Sequence, residues 1–440
     1  MKLSVIGLGK LGSCSAASFA AKGFSVIGVD VRKEYVDAIN AGIAPVQEPG
    51  LQDLIRSSRE RLRATLDFAE AINDSDITFL IVPTPSQDDG NFSDRFLRDA
   101  LIPLCTALRS SSKPSHLFVV TSTVSPGTTE RQLIPLMEMT SGRSLNAGFE
   151  VCYNPEFIAL GSVIKDFLRP DLVLIGESSR AAGDRLEAVY AQVCENKPHV
   201  ARMSIVSAEI TKISLNSYVT MKISFANTLS TLCEQIPGAN IDDITSALGA
   251  DRRIAPSYLK GGLSFGGPCF PRDNRAFAAF AKQYGRDANL ALATDKVNLD
   301  QTSHVVDRIL SSLPPSRTVS VLGLSYKPNT PVVEESPAIK IIEGLLARKV
   351  KVVAYDPLAM DEARTTFGSS VSFTTSMEEC LAASPLVVIA TQDQMFQTID
   401  GSMISQHPAT VIDCWRILDL KRLGKSVRYV ALGFPDRSDS

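Results

Sequence analysis

The sequence contains no Cys-x-x-Cys pair, and none of its four histidines stands at metal-motif spacing from a cysteine. Its eight cysteines (14, 105, 152, 194, 233, 269, 380 and 414) are scattered. In a chain this long that pattern reads as reduced thiols, so neither a disulfide framework nor a metal site is expected. Long hydrophobic runs are also missing. Stretches such as Ile77–Val82 fall far below the ~18 residues needed to cross a bilayer, which predicts no membrane partner. Nor is there an excess of one charge: 45 Lys and Arg face 48 Asp and Glu, for a net charge of −3. No global field draws this chain to nucleic acid, and an anionic ligand must be held by local groups. The opening Met1-Lys2-Leu3-Ser4-Val5-Ile6-Gly7 runs into a strand without the layout of a signal peptide, so the expected compartment is the cytoplasm.

What remains is an ordinary globular balance, 44% apolar and 21% charged over 440 residues, enough for roughly two to four domains. In the first part, Lys2–Ile6, Ser25–Val29, Ile77–Val82, Leu117–Thr121 and Leu172–Ile175 read as strands among helical periods. Near-continuous apolar runs of this kind suit a parallel sheet covered by helices on both faces. A long helical stretch from about Met203 to Gln235 follows, apolar around most of its circumference, which suits a spine between domains or subunits. Shorter helices are expected at about Ile241–Leu248 and Arg272–Gln283. After Pro314-Pro315 a second βαβ pattern begins: Thr318–Leu322, a helix at about Pro337–Arg348, Lys351–Tyr355, Leu386–Ala390, Thr410–Ile412 and Arg428–Ala431. The predicted division is 1–202 α/β, 203–302 helical and 315–440 α/β.

Gly7-Leu8-Gly9-Lys10-Leu11-Gly12 follows the first strand and opens a small-residue helix, and the next strand ends in Asp30. The glycines permit a tight turn and close approach of a pyrophosphate. The helix start offers amide donors, and Asp30 can accept from a ribose hydroxyl. This predicts dinucleotide binding, with NAD favoured because a carboxylate repels a 2′-phosphate. Val82-Pro83-Thr84-Pro85 and Ser122-Thr123-Val124 each follow a strand, which puts them at the carboxyl edge of the sheet, as ligand contacts or merely as strand ends. Lys212 and Asn216, four apart, share a face of the apolar spine helix, and read as facing either a site or water. In Phe265-Gly266-Gly267-Pro268-Cys269-Phe270-Pro271-Arg272-Asp273, Cys269 sits near an expected helix start, where a thiolate is stabilised. An inert buried thiol is the alternative. His116, His199, His304 and His407 lie outside every motif, which argues against a His–Asp hydride-transfer pair.

These motifs, with Asn154-Pro155-Glu156-Phe157 and Leu322-Gly323-Leu324-Ser325-Tyr326-Lys327-Pro328, resemble those of the UDP-glucose/GDP-mannose dehydrogenase family from Gly7 to about Arg416. The resemblance implies two Rossmann-like doubly wound domains joined by a long central helix, with a small helical dimerisation domain. The first domain would bind NAD through Gly7, Gly9, Lys10, Leu11, Gly12, Asp30, Val82, Pro83, Thr84, Ser122 and Thr123. The last would bind the nucleotide sugar. The implied reaction is four-electron oxidation of a nucleotide-sugar C6 hydroxymethyl to a carboxylate, with UDP-glucose the expected substrate, in a homodimer or higher homo-oligomer. Cys269 would form the thiohemiacetal and thioester, and Lys212 and Asn216 would stabilise negative charge near C6. Glu156, with Thr123 holding a water, would serve as base, and Asp273 as water or thiol partner. Phe157, Tyr258, Leu259, Lys260, Phe265, Gly266, Gly267, Arg253, Tyr326, Lys327 and Arg416 would hold the sugar nucleotide. The sequence departs from the family's pattern at Lys10, Tyr35, Leu160, Arg272 and Glu334.

Alternatives of the same chemistry are a UDP-N-acetylhexosamine, GDP-mannose or TDP-glucose substrate. Rivals of another kind are a two-electron β-hydroxyacid-type dehydrogenase and a catalytically silent binding regulator.

Overall fold

Apolar runs become strands covered on both faces. A computed structural model describes residues 1–158, 160–404 and 408–435; His407 lies outside them. The chain divides into two units, Met1–Ser214 and Leu215–Ser440.

The first unit holds one eight-stranded sheet: β1 (Lys2–Ile6), β2 (Ser25–Val29), β3 (Leu62–Thr65), β4 (Ile77–Leu80), β5 (Leu117–Val120), β6 (Glu150–Tyr153), β7 (Leu172–Glu177) and β8 (His199–Met203). The order is β3-β2-β1-β4-β5-β6-β7-β8, parallel except between β6 and β7. The strand order reverses at the parallel β1/β4 neighbours, and in such sheets the crevice outside the carboxyl ends of those strands takes the ligand. The central strands β4 and β5 are wholly buried, as their sequences Ile-Thr-Phe-Leu and Leu-Phe-Val-Val require.

The second unit holds a six-stranded parallel sheet: β9 (Thr318–Leu322), β10 (Lys351–Tyr355), β11 (Ser372–Phe373), β12 (Leu386–Ile389), β13 (Ala409–Asp413) and β14 (Val427–Ala431). Its order, β11-β10-β9-β12-β13-β14, repeats the arrangement of β3 through β6. The long helix Ile205–Cys233 begins in the first unit and ends in the second. The helices Ile241–Ala250, Phe270–Gln283 and Asn289–Ser311 precede the second sheet in sequence.

Five of these elements are absent from the pattern of apolar runs and helical periods, namely β3, β6, β8, β11 and the Asn289–Ser311 helix. β3 reads Leu-Arg-Ala-Thr and buries only alternate residues, too short a signal to find by periodicity. β4 stops at Leu80, two residues early, because the Val82 amide turns to the Ser122 hydroxyl (3.0 Å) and leaves the ladder.

Candidate active site

The first glycine turn is built by contact. Gly7 (φ +94°) donates its amide to Val29 O at 2.7 Å, and Leu8 N donates to Asp30 Oδ2 at 2.6 Å. Asp30 therefore braces the turn, with its other oxygen accepting from Arg32 N at 2.8 Å. A Cβ on Gly12 would stand 1.8 Å from Gly7 O, so only glycine lets the helix Lys10–Ala21 start so close to the strand. A Cβ on Gly9 would meet nothing within 4 Å, and no side chain caps the helix. Open space thus faces the first amides of this helix, the Lys10 and Leu11 amides among them, which lack intrahelical partners. A dinucleotide pyrophosphate fits this cradle. The second unit repeats the turn without it. Gly323 N bonds Tyr355 O at 2.9 Å and Leu324 N bonds Asp356 Oδ2 at 2.7 Å, but Ser325 stands in the Gly9 place and the next helix starts only at Pro337.

The two loops after β4 and β5 are stitched together. Ser122 Oγ accepts from Val82 N, and Thr84 Oγ1 donates to Thr123 O at 2.6 Å. Pro83, between them, has no amide to donate. The stretch after Thr123 is held by a residue that the motif reading missed. Glu209, fully buried on the long helix, accepts from Gly127 N at 2.5 Å and Thr129 N at 3.0 Å. Burial pushes its carboxyl above the usual range. A charged residue on an otherwise apolar helix is the signal that could have found it, as it found Lys212 three residues on.

Lys212 is buried at 8% exposure. Its Nζ donates to the Glu156 carbonyl at 2.7 Å and lies 4.6 Å from the centre of the Phe157 ring. Phe157, expected against substrate, here carries the ammonium on its face. The Glu156 carboxyl is desolvated, which raises its pKa to about 7 against the opposing hydrogen bond from Tyr190 and the charge of Lys212.

In the second unit, Cys269 forms the N-cap of the helix Phe270–Gln283 and is exposed, whereas Cys14, Cys105, Cys152, Cys233, Cys380 and Cys414 are buried. Burial pushes the thiols of Cys14, Cys105, Cys152 and Cys380 up to about 12, so they stay protonated. Cys269 meets the opposite environment, with solvent and the positive end of a helix beside it. Asp273, one turn on, is 1% exposed; its Oδ2 accepts from Asn216 Nδ2 at 2.6 Å and its Oδ1 from Arg272 Nε at 3.3 Å. The structure thus pairs Asn216 with Asp273, and one amide N–H remains on Asn216 Nδ2 for a ligand.

The loop before Cys269 is gripped from below by three carboxamides. Asn227 accepts from Gly262 N (2.9 Å) and donates to Leu263 O (3.1 Å). Asn298 accepts from Phe265 N (2.7 Å) and donates to Phe265 O (3.0 Å), and Gln301 donates to Gly262 O (2.6 Å). Gly267 (φ +82°) has the Tyr326 ring where a Cβ would stand, at 2.5 Å, and Gly266 has Glu335 O at 2.2 Å. These glycines admit the chain's own walls as well as any ligand.

Arg416 (φ +60°) ties this region down. Its guanidinium donates to both oxygens of Asp242 (2.9 and 3.0 Å), to Leu432 O (3.0 Å) and to Gly261 O (2.8 Å), which occupies four of its five N–H groups. Lys260 is exposed, and desolvation and the neighbouring Arg416 cation both depress its pKa, an arrangement that an anion would relieve. Leu259 is buried, so only its backbone is left for a ligand. Tyr326 is half-buried with Lys327 Nζ 5.8 Å from its ring centre. Tyr258 is exposed at φ +62°, and Arg253 is exposed and pairs with Asp251 at 2.6 Å. Among the described residues no group of three or more His, Cys, Asp or Glu could hold a metal ion, and no helix is long and apolar enough to cross a membrane.

Residues 1–194 match the NAD binding domain of the UDP-glucose/GDP-mannose dehydrogenase family, residues 206–300 its central domain and residues 320–420 its UDP binding domain. UDP-glucose 6-dehydrogenase AglM of Haloferax volcanii is 36% identical over 422 residues, 95% of this chain and 97% of that protein. GDP-mannose 6-dehydrogenase of Pseudomonas aeruginosa is 32% identical over 412 residues, 90% and 92% of the two chains. The solved UDP-glucose dehydrogenase of Pyrobaculum islandicum has a TM-score of 0.90 at 32% identity, with 98% of each chain covered.

Proposed function

The chain belongs to the UDP-glucose/GDP-mannose dehydrogenase family, and from that premise we propose that it oxidises UDP-glucose to UDP-glucuronate through a thioester on Cys269. The observation that carries this reading is the exposed thiol at a helix N-terminus in a chain that buries six of its other seven cysteines.

When bound, NAD supplies the hydride acceptor for both oxidations. The cradle at Gly7–Gly12, with Asp30, the Val82–Thr84 loop and Ser122, holds it. As the C6 hydroxyl gives its proton to solvent, and before carbon C6 gives up its hydride, the Lys212 ammonium and the Asn216 amide stabilise the alkoxide. The aldehyde cannot release its remaining hydride until a nucleophile adds. The Cys269 thiolate forms the S–C6 bond, and the carbonyl oxygen becomes the oxyanion of a thiohemiacetal. Loss of the second hydride leaves a thioester. A water held by Thr123 then adds to C6, Glu156 takes its proton, the C6–S bond breaks and Cys269 departs as thiolate, with Asp273 as its partner. A carboxyl raised to about 7 suits that base, since it gains and gives up a proton near neutrality.

Tyr258, the Leu259 backbone, Lys260, Phe265–Gly267, Tyr326 and Lys327 hold the sugar nucleotide, and Lys260 beside Arg416 offers the cationic field that a diphosphate needs. Tyr218, Phe225 and Leu232 are exposed at seven-residue spacing on the long helix, which supports a homodimer or higher oligomer with Arg253 serving the neighbouring copy. The eight free thiols support a reducing, cytoplasmic compartment.

The test is a panel of UDP-, GDP- and TDP-sugars offered with NAD. UDP-glucose should give the highest kcat/KM. A preference for GDP-mannose would replace the substrate and keep the chemistry, and no NADH from any member would overturn the reading.

A further inference from the structure

Three oxygens in the first unit, on buried Tyr190 and Asn154 and half-buried Glu156, share too few protons for the usual reading of a basic carboxylate. Tyr190, on the helix Arg180–Val193, is 4% exposed and Asn154 is 2% exposed. The Tyr190 hydroxyl lies 2.6 Å from Asn154 Oδ1 and 2.8 Å from Glu156 Oε1. A phenol carries one proton, and both contacts are too short to stand without one. The Asn154 end is settled by its amide: Nδ2 donates to Leu174 O at 2.9 Å, so Oδ1 can only accept. The phenol proton therefore belongs to Asn154, and the proton between Tyr190 and Glu156 must come from the carboxyl. These contacts suit a neutral Glu156 whose O–H donates to the phenol, whereas an ionised Glu156 would accept from it.

On the reading of Glu156 as base, we infer that Tyr190 is a positioning residue whose single hydroxyl proton turns between Asn154 Oδ1 and Glu156 Oε1 as the carboxyl gains and loses its own. With Glu156 neutral, its O–H donates to the phenol oxygen and the phenol donates to Asn154. When Glu156 is ionised, the phenol turns its proton onto the carboxylate and Asn154 Oδ1 loses its donor. When attacking water gives its proton to Glu156, the sequence reverses and the trio holds one proton more, which the carboxyl gives up to solvent before it acts again. Each charge state of a desolvated carboxyl thus has a hydrogen-bond partner, which an unpaired buried group would lack.

The other groups facing this carboxyl, among the described residues, are few. Lys212 comes from the long helix and favours the ionised form. Cys194, at the end of the Tyr190 helix, has its thiol pushed up to about 11, by burial first and by the Glu156 charge second. Neither offers a second position for a proton shared with Asn154.

The two neighbours of the phenol have opposite effects on Glu156, and that opposition is the test. In the Tyr190→Phe enzyme the carboxylate loses its donor, so its titration midpoint should rise by about one pH unit. In Asn154→Leu the competing acceptor is gone and the phenol proton stays on Glu156, so the midpoint should fall. Difference infrared spectroscopy of the full-length enzyme across pH, with Glu156→Gln to identify the carboxyl band, reads the midpoint whatever its catalytic role. The acid limb of the kcat–pH profile is followed beside it. No shift in Tyr190→Phe, or shifts of one sign in both variants, would overturn the proposal; if Asn154→Leu does not fold, Tyr190→Phe decides alone. Opposite infrared shifts without a matching move in kcat would uphold the proton rotor and overturn the assignment of Glu156 as base.

Discussion

At the scale of single residues, the proposed chemistry rests on how differently the same side-chain type is housed. Cys14 and Cys380 are thiols held neutral by burial, whereas Cys269 is exposed at the N-cap position of a helix. Lys212 is buried yet kept by a carbonyl and a ring face. If its ammonium meets charge that is largest in the intermediates, Lys212→Ala should lower kcat by ~10²–10³-fold and change substrate affinity little. A rise confined to KM in steady-state kinetics would contradict that role. The proposed base, Glu156, sets the expected pH dependence. A base must be ionised, and burial raises this carboxyl to about 7, so the hydrolysis-limited rate should fall about tenfold per unit below that pH and level off above it. The profile of kcat against pH checks this, and Glu156→Gln should remove the limb.

At the scale of elements, the ten strands other than β3, β6, β8 and β11, and the glycine turn, were legible because their signals are local: β1, Gly7–Gly12 and β2 ending before Asp30 follow one another in order. The helix Asn289–Ser311 was not, and the reason is physical. Before its apolar last turns (Val305, Val306, Ile309), its buried face carries Thr294, Asn298 and Gln301 with Ala291, while Leu290, Leu292 and Leu299 are exposed. Hydrophobic periodicity reads such a helix inside out, because the polar residues face the loop they hold. Asn298→Ala would leave the buried Phe265 amide and carbonyl without that partner, at a cost of about 2–4 kcal/mol. Denaturant unfolding should register the loss, and KM for the sugar nucleotide should rise with it; unchanged stability would mean the loop is held elsewhere. Glu209 belongs to the same class, a buried acid whose partners are loop amides distant in sequence. In the glycine turn, Gly12→Ala would drive a methyl into Gly7 O, and NAD binding by calorimetry should be lost.

At the scale of the whole molecule, two sheets of the same strand order do different work because the segments after their first strands differ. The first turn keeps its glycines and runs straight into a helix, while the second has Ser325 and a loop before its helix starts. The sequence revealed the repeat of architecture but not the bracing of Asp30 and Asp356, whose carboxylates both fold back on their own turns. It also marked Arg416 as a ligand contact, without the four internal bonds that make it first a tie within the second unit. The proposed chemistry depends on one active thiol that lets a single enzyme take two hydrides from one carbon. Supplying UDP-glucose and counting NADH against uronate formed tests it most directly. Two NADH per acid, with the acid lost in Cys269→Ala, is the predicted result; one NADH per turnover, or full oxidation in Cys269→Ala, would contradict it.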